Sequence, residues 1–390
     1  MIIPFESVMN MTKAAYIHIP FCEQICHYCD FNKFLIKGQP VYDYLDAMEV
    51  EIKKLLDSYP ARPIETIYIG GGTPTALEDE QLKRMLDIVT THLQPIDGNI
   101  EFTVEANPSV TERKKLRILK NAGVNRLSIG VQAFQDSLLS ALNRNHRRED
   151  VARMIREAHS VGFENISIDL MFGLPGQTLE MFQESVSLAL QLNVPHISAY
   201  SLQVENQTVF GIRDRKGELS LPGEEKESDM FEYLIDILKQ KGFLHYEISN
   251  FAKAGFESKH NQVYWKNEPY YGIGAGAHGY VKDIRYENVK PLPHYIRKLG
   301  EGGFPHRIVT RLDNKDRMEE EIFLGLRRKG GVNKETFYKK YNRPIEDVFP
   351  EQIDKLTAQG LLVNDTQSIR LTEKGLFLGN EVFQEFIGVI

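Results

Sequence analysis

Over roughly its first 210 of 390 residues the chain returns six times to a strand-like hydrophobic pattern, with helical patterns between, and that regularity restricts the fold more than any other feature. Short apolar, β-rich runs over 15–19, 66–69, 100–105, 126–129, 166–170 and 197–202 alternate with amphipathic helical patterns over 42–58, 79–93, 111–121, 149–161 and 179–192. Strands separated by helices pair in parallel, because each crossover returns the chain to the same end of the sheet. The expectation is an α/β fold, a partial (βα)6 TIM-like barrel spanning residues 1–210. In parallel barrels the C-terminal ends of the strands carry the working face. Here those ends are polar or glycine-rich. The first runs into a cysteine loop and the second into Gly70-Gly71-Gly72-Thr73. The third ends at Glu105, the fourth at Gly130-Val131-Gln132, the fifth at Asp169 and the sixth at Tyr200.

Beyond the barrel the pattern loosens. Residues 211–304 hold a helical stretch over 224–241, a seventh strand near 246–249, the segment His260-Asn-Gln-Val-Tyr264-Trp265 and a glycine-rich turn over 272–279. We expect a linker or flap over the barrel mouth. Residues 305–390 read as helices over 318–328, 334–341 and 350–359 followed by a hairpin over 361–371, a winged-helix-like module. Such modules often bind DNA, but 14 Lys/Arg against 15 Asp/Glu over 301–390 leave no basic face, and a docking role is expected instead. The net charge of −7 and the absence of any block of five Lys/Arg likewise argue against nucleic acid. No apolar run of membrane-spanning length and no signal-peptide pattern are present, which places the chain in the cytoplasm.

All three cysteines, Cys22, Cys26 and Cys29, fall within eight residues. An odd, clustered set in a reducing compartment points to a metal rather than disulfides. Two readings compete. With His18 or His27 the thiolates make a closed Cys3His zinc site; alone they hold three irons of a 4Fe–4S cluster and leave the fourth open. The surroundings favour the cluster, since a structural zinc clip needs no glycine triplet and no polar side chains aimed across a barrel mouth at it.

Cys-x3-Cys-x2-Cys after a first strand, with a glycine-rich turn after the second, resembles the signature of radical S-adenosylmethionine (SAM) enzymes. Tyr16-Ile-His-Ile-Pro-Phe-Cys22, Gly70-Gly-Gly-Thr-Pro-Thr75, Val104-Glu-Ala-Asn-Pro108, Ser128-Ile-Gly-Val-Gln132 and Asp169-Leu-Met-Phe-Gly-Leu-Pro175 narrow the resemblance to the branch holding the oxygen-independent coproporphyrinogen III dehydrogenase HemN and its relative HemW. The resemblance implies that the open iron takes the amino and carboxylate groups of SAM, whose reductive cleavage yields a 5'-deoxyadenosyl radical. It further implies SAM contacts at Tyr16, Tyr28, Gly71, Gly72, Thr73, Glu105, Gln132, Arg144 and Asp169. Arg144 suits the SAM carboxylate because a guanidinium pairs with it bidentately.

Within that branch HemN carries a fourth cysteine where this chain has Asp30, and a longer N-terminal extension than the fifteen or so residues found here. HemW is similar to this chain in both respects. His260-Asn-Gln-Val-Tyr264-Trp265 also resembles the HNxxYW motif associated with haem in HemW, so the resemblance implies His260 as haem-iron ligand and Tyr264 and Trp265 as flat faces for the porphyrin. The function it implies is haem trafficking, in which the protein passes haem to apo-acceptors, respiratory haem proteins among them. Membrane contact is expected only through an acceptor, and the state expected is monomer or dimer. Coproporphyrinogen decarboxylation is the competing expectation.

Overall fold

The alternation of periods becomes an alternation of strand and helix in the computed structural model, which describes residues 11–59, 61–93 and 100–390. Strand β1 (Thr12–Ile19) leads into two short strands, β2 (Phe21–Cys22) and β3 (Phe34–Leu35), that pair with each other and bracket the cysteine loop. Then follow α1 (Val41–Ser58), β4 (Ala61–Gly71), α2 (Asp79–Leu93), β5 (Glu101–Ala106), α3 (Arg113–Asn121) and β6 (Arg126–Gln132). After β6 come α4 (Asp136–Ala141), α5 (Arg148–Ser160), β7 (Asn165–Phe172), α6 (Leu179–Gln191) and β8 (His196–Ser201). The helices bury one stripe each against the sheet. In α2 that stripe is Leu82, Met85, Leu86 and Val89, at the 3.6-residue period, each fully or almost fully buried. Such a side chain contributes about 1.5–3 kcal/mol by burial, and truncating one to Ala costs about 2–5 kcal/mol.

The chain then continues through α7 (Val209–Arg215), α8 (Glu224–Gln240), β9 (Leu244–Glu247), β10 (Asn250–Ala252), α9 (Lys259–Trp265), β11 (Tyr270–Ile273), β12 (His278–Val281), β13 (Ile284–Asn288), α10 (Leu292–Gly300) and β14 (His306–Arg311). These strands correct the expected linker over 211–304. All of them join one twelve-stranded sheet in the order β14-β13-β12-β11-β1-β4-β5-β6-β7-β8-β10-β9. From β11 to β8 the neighbours run parallel, so β11 adds a seventh parallel strand beside β1, with Tyr16 opposite Gly272. The strand expected near 246–249 falls across the end of β9 and the turn into β10, and the others escape a sequence reading because each is only three to six residues long and tight turns separate several of them, as at Lys282 and Asp283 with φ of 44° and 63°. Gly272, taken as part of a turn, lies in β11, where a Cβ would meet the carbonyl oxygen of His278 at 1.8 Å. The boundary at 305 moves as well, since β14 belongs to this sheet.

Downstream, α11 (Asn314–Gly325), α12 (Lys334–Tyr341) and α13 (Pro350–Ala358) pack with a three-stranded sheet around their own core of Ile322, Leu326, Phe337, Ile353 and Phe386. This module grips the sheet edge through main-chain bonds, Ile248 N–H to Arg327 O at 3.1 Å and Lys329 N–H to Tyr246 O at 3.0 Å. Among the described residues no helix is long and apolar enough to cross a membrane.

Candidate cofactor site

Strand alternation decides what enters the barrel. Along β6, Leu127, Ile129 and Val131 are buried in the hydrophobic core, while Arg126, Ser128, Gly130 and Gln132 line a cavity of about 340 Å³. Tyr68 of β4, Glu105 of β5, Asp169 of β7 and Tyr200 of β8 line the same cavity. Five neighbouring strands laid flat would spread these residues over roughly 20 Å, so their convergence requires the sheet to curl.

One wall is the cysteine loop. Cys22, Cys26 and Cys29 all line the cavity, and protein hydrogen bonds anchor the loop on both sides. Gln24 Nε2 donates to Asn143 Oδ1 at 2.8 Å, Asn143 Nδ2 to Ile25 O at 2.8 Å, and the His27 N–H to Leu142 O at 3.1 Å. On the other side Asn32 Nδ2 bonds the carbonyls of Ala275 and Lys290, each at 2.9 Å. Burial pushes the Cys22 thiol up to about 11 and raises Cys29 as well. Thr73 Oγ1 and Arg144 Nη1 face the sulfurs of Cys22 and Cys26 at 3.7 and 3.6 Å. Of the two histidines of the zinc alternative, His18 has both ring nitrogens engaged, by Tyr16 Oη at 2.9 Å and Asn32 O at 2.7 Å, and His27 bonds Ala141 O through Nδ1 at 3.0 Å.

The polar residues implied as SAM contacts meet opposite that wall. Gly71, at φ 102°, donates its N–H to Glu105 at 3.0 Å, and a Cβ there would strike the His18 ring at 2.2 Å. Glu105 also accepts from Tyr68 Oη at 2.8 Å, and burial raises its carboxyl to about 7. Asp169 is raised by burial to about 6, with Ser128 Oγ 3.3 Å away. Gln132 sits at φ 66°, a conformation costly for a non-glycine residue, where the β6–β7 register shifts. Arg144 bonds Gly130 O through Nη2, while its buried Nε has no partner. Tyr28, Gly72 and Thr73 complete the wall. Tyr16 does not join them: its ring stacks on Tyr68 at 6.2 Å and lines a different chamber.

The HNxxYW segment is α9, and its residues part company. Ser258 and Glu101 cap its N-terminus, the Glu101 carboxylate taking the N–H groups of Lys259 and His260 at 2.8 and 2.9 Å. Glu101 begins β5, so the helix plugs the barrel at the end opposite the rim. His260 is fully buried, stacks on Tyr68 at 5.3 Å, and bonds Thr66 Oγ1 at 2.9 Å and Tyr264 Oη at 2.8 Å. Both ring nitrogens of His260, expected as the haem-iron ligand, are thus engaged by protein hydroxyls in this arrangement. Asn261 lines the main cavity, Tyr264 the second chamber, and Trp265 lies under the Arg327 guanidinium of the C-terminal module at 4.5 Å. No porphyrin face is formed by Tyr264 and Trp265 together.

Tyr68, Arg126, Ser128 and Asn261 line the cavity without having been anticipated. Period two was the available signal for the first three, since Arg126 and Ser128 precede Gly130 and Gln132 on the same face.

The three thiols on one wall, sulfur-directed donors from Thr73 and Arg144, the partnerless Arg144 Nε and the glycine cradle fit a cluster with SAM beside it. A family model described as Radical SAM superfamily matches residues 16–189, and one described as HemN C-terminal domain matches 312–378. The Bacillus subtilis protein named Heme chaperone HemW is 50% identical over 96% of this chain and 99% of its own length. The chain belongs to the HemW family of radical SAM proteins. Its Escherichia coli relative of the same name is 35% identical over 95% of this chain and 97% of its own, and the mouse protein Radical S-adenosyl methionine domain-containing protein 1, mitochondrial, is 32% identical over 96% and 87%. The fold matches that of coproporphyrinogen III oxidase (HemN) from E. coli at a TM-score of 0.85, covering 99% of this HemW-family chain and 93% of HemN at 24% identity.

Proposed function

We propose that this chain is a haem chaperone that binds haem and passes it to apo-proteins, with a 4Fe–4S cluster on Cys22, Cys26 and Cys29 and SAM in the main cavity. The observation that carries the reading is the 50% identity, over nearly the full length of both chains, to a protein named as a haem chaperone. When bound, cluster and SAM supply one-electron chemistry at SAM. Arg144 pairs with the SAM carboxylate, and Gly71 and Gly72 let the main chain approach the methionine moiety. Glu105, Gln132 and Asp169 hold its remaining polar groups. Glu105 and Asp169, raised to about 7 and about 6, are poised to change charge near neutrality when a cationic ligand enters. Acceptors include respiratory haem proteins, and any membrane contact comes through them.

Haem titration and transfer test the reading. Anaerobically reconstituted protein is expected to show cluster absorbance together with a haem Soret band, to hand haem to an apo-acceptor, and to leave coproporphyrinogen III unchanged in the presence of reductant and SAM. Failure to bind haem, or formation of protoporphyrinogen, overturns it.

A further inference from the structure

The main cavity runs from the cysteine loop to the plug, where Asn261 of α9 and Arg126, the first residue of β6, line its floor. Four residues of strand put Arg126 roughly 13 Å from the level of Gly130, whose carbonyl holds Arg144. Arg126 is 2% exposed. Among the described residues it makes no ion pair and no hydrogen bond, and its Nε is buried without a partner. Its neighbours in register, Thr103 of β5 and Asn165 of β7, leave their side-chain oxygens unpartnered as well, so the strands on either side give it no fixed acceptor. The aromatic groups packed around it are neutral. Burial keeps the proton on Tyr68, and burial followed by the charge of Arg126 lowers His260 to about 3 and lowers His196 as well. Asp169 feels the guanidinium across the cavity, but its hydroxyl partner is Ser128 Oγ at 3.3 Å. The half-buried Asn261 amide likewise has no partner among the described residues.

We propose that the floor of the main cavity is a carboxylate-binding subsite distinct from that of SAM, in which the Arg126 guanidinium and the Asn261 amide hold a small organic acid. A guanidinium does not shed its proton in a protein, so Arg126 cannot escape the cost of burial by neutralisation as Glu105 and Asp169 can. A buried charge without a counter-ion is strongly destabilising, and an anionic ligand offsets that cost. A carboxylate matches the guanidinium fork with two parallel bonds and balances its single charge. A phosphate brings a second negative charge into a cavity that already holds Glu105 and Asp169. Tyr68 and Tyr200 on the same walls offer flat faces to an unsaturated or aromatic acid. The subsite goes beyond the haem-chaperone reading, since it gives the cavity a second small ligand and involves no haem.

Calorimetric titrations of the full-length, anaerobically reconstituted protein with SAM present test the assignment, with benzoate, benzamide and inorganic phosphate as probes. The parent is expected to bind benzoate and neither of the others. Arg126→Met and Arg126→Gln bind benzoate at least about tenfold more weakly and Asn261→Ala a few-fold more weakly, with cluster absorbance and SAM affinity unchanged, while Arg126→Lys keeps part of the binding. Thermal unfolding adds a readout that a structural arginine would not give. Without ligand, Arg126→Met melts higher than the parent, because an apolar side chain removes an uncompensated buried charge, and benzoate raises the midpoint of the parent alone. A parent that ignores benzoate, or that binds phosphate equally well, overturns the subsite. So does an Arg126→Met variant that melts lower, which makes the guanidinium part of the fold, or one that loses SAM affinity, which makes it part of the SAM site.

Discussion

Gln132 holds φ at 66° at the point where β6 ends and the cavity begins. A left-handed conformation costs a residue with a Cβ about 1–2 kcal/mol, and here that residue lies on the cavity wall. Gln132→Gly is therefore expected to raise the thermal midpoint of the apo-protein by a few degrees while lowering SAM affinity by about tenfold, read by calorimetry and by anaerobic equilibrium binding. Equal or tighter SAM binding would show the strain to be incidental. Most residues around Gln132 were legible beforehand, because motifs at strand ends named Gly71, Glu105 and Asp169, while Arg144, in the loop after α4, came only from the family resemblance. Tyr16 was not. Its local sequence shows an inward position on β1, but which chamber it faces depends on β11 closing beside β1, and nothing within ten residues of Tyr16 encodes that neighbour.

Between elements, the tie that stands out is Glu51. From α1 its carboxylate accepts the Gly274 N–H at 2.8 Å, Asn288 Nδ2 at 2.6 Å and the Tyr295 hydroxyl, so one fully buried acid joins α1 to the turn after β11, to β13 and to α10. Removing it leaves three buried donors without an acceptor, and Glu51→Leu is expected to cost about 3 kcal/mol or more in urea unfolding. Burial raises this carboxyl to about 7, against 4.5 when unperturbed. A raised acid contributes stability that is complete below its unfolded pKa and is lost as pH rises through its folded one. Glu51→Gln should therefore flatten the fall in stability between about pH 5 and about pH 8, leaving a residual slope from Glu105 and Asp169, which are raised in the same sense. An unchanged profile would place the titration elsewhere. The six barrel strands and their helices were legible because each runs long enough to show its period. From β11 to β14 the strands are too short for that, and their place in the sheet comes from ladders to β1 and to one another, which Glu51 ties back to α1.

Across the whole molecule, the C-terminal module covers a sheet edge. Its loop residues Arg327 and Lys329 make main-chain bonds beside β9, whose Leu244 is 49% exposed, and Arg327 reaches Trp265 of the barrel plug. Uncovered edges template association between chains, so a chain ending at residue 311 is expected to form larger species than the full chain does, a difference visible by size-exclusion chromatography with light scattering. A monodisperse truncated chain would make the module a separate docking unit. The position of β1 carries a consequence for biogenesis. Translated first, β1 gains its neighbour β4 early, but β11 and the carbonyls of Ala275 and Lys290 that anchor Asn32 emerge only after about two-thirds of the chain has been made. The ribosome thus exposes the cysteines first, then the Leu142 and Asn143 anchors on one side of their loop, and only much later the carbonyls that hold the other side.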